Sequence, residues 1–133
     1  MPELFRKLKD LAKKKGCNIE LKFYEFGDCI LFLDFGFGLN KTYSIDIPDT
    51  FLDKNDVDRF MKWVNYLIDF NIAMGKNNHN LDVISNEVDG IMDSYTWICT
   101  KCDKENCFGC NIPTFLDELK KLNKTISELK DKD

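Results

Sequence analysis

The chain has 133 residues, of which 44% are apolar, 13% are aromatic and 32% are charged, and its formal net charge is −4. This composition excludes disorder over most of the chain and predicts one globular domain that buries a core. The longest apolar run, residues 29–33, is far shorter than the roughly 20 residues that cross a bilayer, and the first residues lack the apolar stretch of an export signal. We therefore expect a cytoplasmic protein that does not contact membranes.

Charge is distributed unevenly along the chain. Residues 1–16 hold six bases and two acids, residues 17–98 hold six bases and fourteen acids, and the remainder is balanced. Duplex-binding domains gather Lys and Arg on one face because phosphate neutralisation supplies most of their affinity. The acidic middle would repel phosphates, so we expect a basic protein partner rather than direct nucleic-acid binding.

The first half of the chain predicts one helix followed by three strands. Apolar residues recur at helical spacing after Pro2, and Gly16 favours the end of that helix. Side chains alternate in polarity over residues 17–23 and 42–47, whereas residues 29–37 are mostly apolar on both faces, as in a central strand. Short connections join the three segments, so the sequence predicts an antiparallel meander.

The second half begins with a helix that Asp53 or Asn55 can cap and that Gly75 ends. A polar connector then leads to a short helix from Leu81, weakened by Gly90, and to a strand at residues 95–98. An amphipathic helix from Thr114 closes the chain. The predicted fold is α+β, a three-stranded antiparallel sheet flanked by helices in the order α-β-β-β-α. We predict a core of residues 1–75, on which a metal module and terminal helix (residues 76–133) pack.

Four cysteines form the one sharp chemical motif. Their spacing is CxxC, four residues and CxxC, formed by Cys99, Cys102, Cys107 and Cys110. Two residues between thiolates let one tight turn present both sulfurs to one ion, and two such turns complete a tetrahedral shell at about 2.3 Å per bond. Four protein ligands leave no open coordination position, so the sequence predicts one structural zinc ion.

Other chemistry at these cysteines stays open at this stage. An iron–sulfur cluster also accepts four thiolates, and a redox dithiol needs only two, whereas disulfides do not suit the cytoplasm. Cys17 and Cys29 fall in predicted strands and are interpreted as small buried apolar residues. Since the sequence contains no recognisable catalytic set, we expect a protein that is not an enzyme.

The second helix is apolar on two faces. If Val57, Phe60 and Val64 face the sheet, then Arg59, Trp63, Tyr66 and Phe70 lie on nearly the opposite side. Either another part of the chain covers that side, or it is an exposed aromatic anchor for a partner. The candidate interaction surface combines this side with the acids at the start of the helix. Its residues are Asp53, Asp56, Asp58, Arg59, Trp63 and Tyr66.

The terminal helix carries an apolar stripe whose role is also open. Phe115, Leu119, Leu122, Ile126 and Leu129 recur at steps of four and three. Such a stripe packs either within the chain or against a second copy. We therefore expect a monomer or a weak homodimer.

Two nucleic-acid-binding families share single features with this chain. The order helix, three strands, helix resembles the double-stranded RNA-binding domain, but Asp53, Asp56 and Asp58 stand where that family places a Lys-rich cluster. The paired CxxC motifs resemble zinc ribbons of transcription and ribosomal proteins, which separate their two knuckles by many more residues. The metal site carries over from this likeness, whereas the nucleic-acid role does not.

The small acidic chain with Cys99, Cys102, Cys107 and Cys110 resembles the accessory proteins of phages and mobile elements, and among them the type II anti-CRISPR proteins. This resemblance implies an inhibitor that is encoded by a phage or a mobile element and acts in the cytosol of a bacterial host. It also implies direct stoichiometric binding to a CRISPR effector nuclease, which blocks DNA cleavage without chemistry of the inhibitor's own.

A different function class remains as the alternative. The chain would then be a small zinc-knuckle regulator that touches nucleic acid through its first helix. The bases available for phosphate contact there are Arg6, Lys7, Lys9, Lys13, Lys14 and Lys15.

Overall fold

The computed structural model describes residues 2–24, 28–36, 38–47, 54–75, 81–101 and 111–131. Its elements in chain order are α1 (Pro2–Lys15), β1 (Asn18–Phe23), β2 (Asp28–Asp34), β3 (Asn40–Asp46), α2 (Lys54–Met74), α3 (Leu81–Lys101) and α4 (Ile112–Asp131). The fold is α+β and confirms the predicted order of a helix, three strands and a helix. Two further long helices complete the described part of the chain.

The three strands form the predicted antiparallel meander, with β2 in the centre. Leu21 of β1 lies opposite Leu31 of β2, which in turn lies opposite Tyr43 of β3. Side chains on this face of the sheet are buried or half-buried except Lys41 of β3, whereas Glu20 and Lys22 on the other face of β1 are exposed. The alternation of polarity in the sequence therefore identified the inward face correctly.

Glycine ends the first helix as predicted. Gly16 has a φ angle of 70°, in the left-handed region that residues with a Cβ rarely adopt. The chain turns at once into β1, and the amide of Cys17 donates to the carbonyl of Ala12 over 3.1 Å. The short helix-to-strand connection places α1 beside the sheet.

One hydrophobic core joins both halves of the chain. It includes Leu4 of α1, Leu31 of β2 and Val64 of α2, together with Ile91 of α3 and Ile126 of α4. All five side chains are buried. The two last helices therefore share the core of the sheet and the first two helices.

The segment after Leu81 differs from its prediction. The predicted helix from Leu81 is confirmed but is longer than expected, and the predicted strand at residues 95–98 is wrong, because α3 runs without interruption from Leu81 to Lys101. Aromatic and β-branched residues suggested a strand, but Ile84, Val88, Ile91, Tyr95 and Ile98 continue one apolar stripe at steps of four and three. Burial of this stripe outweighs the local strand preference of its last residues.

The last two helices form an antiparallel hairpin. Lys130 near the end of α4 pairs with Asp82 at the start of α3, with 2.7 Å between Nζ and Oδ1. Midway along the hairpin, Ser85 donates to the side-chain oxygen of Asn123 over 3.4 Å. The end of α3 and the beginning of α4 consequently lie at the same end of the hairpin. In the described ranges, no helix combines the length and the apolar character that a membrane span requires.

Candidate functional site

The structure describes only part of the predicted metal motif. Cys99 lies in the last turns of α3, and its side chain is exposed. Cys102, Cys107 and Cys110 fall outside the described residues, so the four-thiolate site stays a prediction. Within the residues that the structure does describe, no group of three or more His, Cys, Asp or Glu side chains could hold a metal ion.

The hairpin nevertheless fixes both ends of the segment that carries the motif. Cys99 precedes this segment on α3, and Cys110 is followed directly by Asn111. The amide of Asn111 donates to the carbonyl of Ser44 on β3 over 3.3 Å, and the carbonyl of Asn111 accepts from Phe115 in the first turn of α4. Because α3 and α4 are antiparallel, Cys99 and Asn111 lie toward the same end of the hairpin.

The two remaining cysteines differ in environment. Cys29 is fully buried in β2, as predicted, and burial raises the pKa of its thiol to about 12. Cys17 precedes β1 and packs against the core but is only half-buried, so its prediction as a fully buried strand residue is wrong, and partial burial raises the pKa of its thiol. Neither thiol is activated as a nucleophile by its surroundings, since thiolates require a lowered pKa at neutral pH.

Of the two explanations for the second apolar face of α2, the exposed aromatic anchor is wrong. Trp63 is 0% exposed, and its ring makes edge-on contacts with the rings of Phe60, Tyr43 and Tyr95. Tyr66 is half-buried against Gly90 of α3. The first explanation, that another part of the chain covers this side of α2, is confirmed, because α3 packs over it.

The charged members of the predicted surface have separate positions. Asp58 is exposed and accepts a hydrogen bond of 2.8 Å from Lys7 on α1, and Asp56 is buried. The hydrogen bond raises the pKa of Lys7 and lowers the pKa of Asp58. Asp53 lies outside the described residues. Asp58, which was predicted to bind a partner, therefore forms a contact between α1 and α2.

Arg59 remains on the surface and contacts α3. Its guanidinium lies over the ring of Trp97, 5.5 Å from the ring centroid, and 3.5 Å from the carboxylate of Asp93. Cation–π contacts of this kind are favourable at exposed sites. Arg59 therefore joins α2 and α3 while about half of its side chain, 48%, stays exposed.

A ring cluster connects the hairpin with the sheet. Tyr43 of β3 contacts Phe115 of α4 edge-on at 5.2 Å, and Phe115 stacks on Tyr95 of α3 at 5.9 Å. These rings border a cavity of about 210 Å³ whose lining is mainly apolar. The hydroxyl of Tyr43 accepts a hydrogen bond from Asn71 over 3.0 Å, and burial raises the pKa of Tyr43. The cluster fixes α4 against β3 near Asn111.

The outward face of α3 carries an acidic stripe that sequence reasoning missed. Asp82, Asp89 and Asp93 are exposed and recur at steps of seven and four, so they share one side of the helix. Asp82 pairs with Lys130, Asp93 with Arg59, and Asp89 accepts a hydrogen bond from Asn123. The sequence predicts a short helix and a strand in this segment. It therefore does not indicate that the three aspartates share one side of a single helix.

The bases of α1 divide into two groups. Lys7 and Lys15 pair with Asp58 and Asp69 of α2, at 2.8 and 2.7 Å. The other bases of α1 are exposed, and no acid among the described residues forms an ion pair with them. These outward bases are Arg6, Lys9, Lys13 and Lys14.

The chain was compared with protein-family models, with curated proteins and with solved structures. None of the three comparisons gives a match.

Proposed function

We propose that the chain is a zinc-stabilised inhibitor without enzymatic activity that binds a protein partner, a type II CRISPR effector nuclease, and blocks DNA cleavage. The observation that carries this proposal is the construction of α3. Its inward face is buried in the core, its outward face carries acids, and its last turns hold Cys99. The same helix thus links the predicted metal site to a candidate docking surface.

The hairpin geometry supports the metal part of the proposal. Four thiolates bind one zinc ion only if both CxxC pairs approach each other. The antiparallel arrangement of α3 and α4 brings Cys99 and the residue that follows Cys110 to the same end of the hairpin. Zinc bound there would close the hairpin and would contribute its binding free energy to folding.

The acidic stripe supports the partner part of the proposal. Side chains of Asp82 and Asp93 are 84% and 79% exposed even though each forms an ion pair. Exposed ion pairs of this kind contribute only about 0 to 1 kcal/mol, so a partner can replace them at low cost. A nuclease surface that binds nucleic acid is rich in Lys and Arg, and the stripe complements such a surface.

DNA cleavage by a type II effector nuclease loaded with guide RNA tests this function. Adding the chain at a slight molar excess should suppress cleavage, and the two proteins should elute together from a sizing column. The double variant Asp89→Lys/Asp93→Lys should weaken this complex at least about tenfold, as expected when charges at an interface are reversed.

A matched variant controls for net charge. Asp117→Lys/Glu128→Lys changes the same number of charges on the exposed side of α4 and should inhibit as well as the unmodified chain. Unchanged cleavage and no co-elution with a panel of type II effectors would refute the proposed partner. Equal losses for both double variants would instead refute the assignment of the docking surface to α3.

A further inference from the structure

We propose that the outward face of α1 binds single-stranded nucleic acid through its phosphates. We call this surface the α1 basic face and define it by Phe5, Arg6, Lys9, Lys13 and Lys14. It is separate from the acidic stripe on α3, and the proposal goes beyond binding of a protein partner.

The intramolecular ion pairs make the α1 basic face distinct. Lys7 and Lys15 are used to attach α1 to α2, since each bonds to an aspartate of that helix. The outward bases have no such partner among the described residues, and Asp10 is the one acid interspersed with them. The four bases and this acid leave three net positive charges on a surface of an otherwise acidic chain.

The spacing of these bases suits a phosphate backbone. Arg6, Lys9 and Lys13 recur at steps of three and four and therefore lie on one side of α1. At a rise of ~1.5 Å per residue, they span about 10 Å along the helix, which is enough for successive phosphates of an extended strand. Phosphate contacts of this kind supply affinity without reading sequence.

An exposed aromatic side chain favours a single strand over a duplex. Phe5 is 44% exposed, and Lys9 lies one helical turn away from it. Unpaired bases stack on exposed aromatic rings, whereas the bases of a duplex are not available for stacking. The inward face of α1 is buried through Leu4 and Leu8, so the helix has no apolar face left for insertion into a lipid surface.

A groove extends the α1 basic face toward the sheet. Its volume is about 500 Å³, and Lys9 and Lys13 line one wall. Asn18 of β1 and Gly36 lie on the opposite side, together with Asp34, whose carboxylate accepts a hydrogen bond from the amide of Gly36. Lys9 and Lys13 supply the positive charge at this groove, whereas the carboxylate of Asp34 has the opposite sign and limits phosphate contact to the wall formed by α1.

Fluorescence anisotropy with the chain alone tests the proposal without any protein partner. The probes are labelled oligo(dT) and oligo(U) of 15 nucleotides and a DNA duplex of the same length. At 50 mM NaCl we expect both single strands to bind more tightly than the duplex. For three net charges, the slope of log K against log [NaCl] should be about −2.

Variants then locate the binding surface. Lys9→Glu/Lys13→Glu should lower the affinity for oligo(dT) at least about tenfold, because two phosphate contacts become repulsive. The control Lys120→Glu/Lys124→Glu makes the same charge change at exposed positions of α4 and should stay within about twofold of the unmodified chain. Phe5→Ala should weaken binding of the single strands without changing the salt slope.

Three results would overturn the proposal. The first is no change in anisotropy at 50 mM NaCl, and the second is an equal loss for the α1 and α4 double variants. The third is tighter binding of the duplex than of the single strands, or binding of labelled poly-glutamate without any binding of oligo(dT). Either result would assign the α1 basic face to another class of partner. Circular dichroism of each variant verifies that the fold is retained.

Discussion

At the level of single residues, Gly90 determines how closely α3 approaches α2. An added Cβ at this position would lie 2.5 Å from the ring of Tyr66, far inside van der Waals contact. Glycine inside a helix lowers the stability of that helix by about 1 kcal/mol relative to alanine. The residue that the sequence suggested would weaken α3 is the one that allows the two helices to pack.

A double-mutant cycle tests this role of Gly90. Gly90→Ala should destabilise the protein by about 1 to 2 kcal/mol, because overpacking exceeds the gain in helix propensity. In a Tyr66→Ala background, the same substitution should stabilise the protein by up to about 1 kcal/mol, because the clash is gone and only the propensity remains. Urea unfolding measures both values, and a stabilising Gly90→Ala in the unmodified chain would contradict the contact.

At the level of elements, the sequence predicted α1, the three strands and α2 well. Their patterns have the correct period, and Gly16 and Gly75 mark helix ends that the structure retains. The error in α3 came from weighing the local strand preference of its last residues above a helical stripe. The exposure of the second face of α2 could not be decided from the sequence, for a different reason. Whether a face with Trp63 is exposed depends on which distant helix covers it, and local periodicity contains no information on that pairing.

The apolar stripe of α4 packs within the chain over most of its length. Leu119 and Ile126 are buried in the core, whereas Leu129 near the end of the helix is 44% exposed. Ile126→Ala should therefore lower the free energy of unfolding by about 2 to 4 kcal/mol, because it removes buried methyl groups. Leu129→Ala should cost less than about 1 kcal/mol. Denaturant unfolding compares the two, and equal costs would contradict this packing of α4.

At the level of the whole molecule, the predicted zinc ion would hold together the two helices that complete the core. Residues 76–133 contribute Ile91 and Ile126 to a core that they share with the sheet. Loss of the metal should therefore lower the stability of the entire chain and not of the motif alone, since ligands that bind only the folded state stabilise it.

Elemental analysis and thermal unfolding test the metal prediction. The purified chain should contain about one zinc ion, and a chelator should lower its midpoint of unfolding. Cys102→Ser should reduce zinc content and stability, whereas Cys17→Ser, outside the motif, should retain the metal. If the purified chain contains iron and absorbs visible light, the four thiolates bind an iron–sulfur cluster instead of zinc. A purified chain without any bound metal would contradict the predicted metal site.

The metal motif and the surface of the molecule were predictable to different degrees. A CxxC pair can be identified from spacing because one tight turn fixes its geometry. The function of a surface depends on which charged side chains remain exposed and without an ion-pair partner after folding. Lys7 and Asp58 are charged residues in the sequence, but the fold joins them across α1 and α2. Such pairing between distant positions cannot be recognised without the tertiary structure.

The contact between Asn111 and Ser44 has a consequence for self-association. In the sheet as far as the structure describes it, β3 is an edge strand, and unpaired backbone groups at a sheet edge are templates for strand addition from another molecule. The amide of Asn111 occupies the Ser44 carbonyl at this edge, directly after the last cysteine of the motif. A chain whose hairpin opens would release that carbonyl, so the intact hairpin removes one hydrogen-bond acceptor from the β3 edge that an incoming strand would otherwise use.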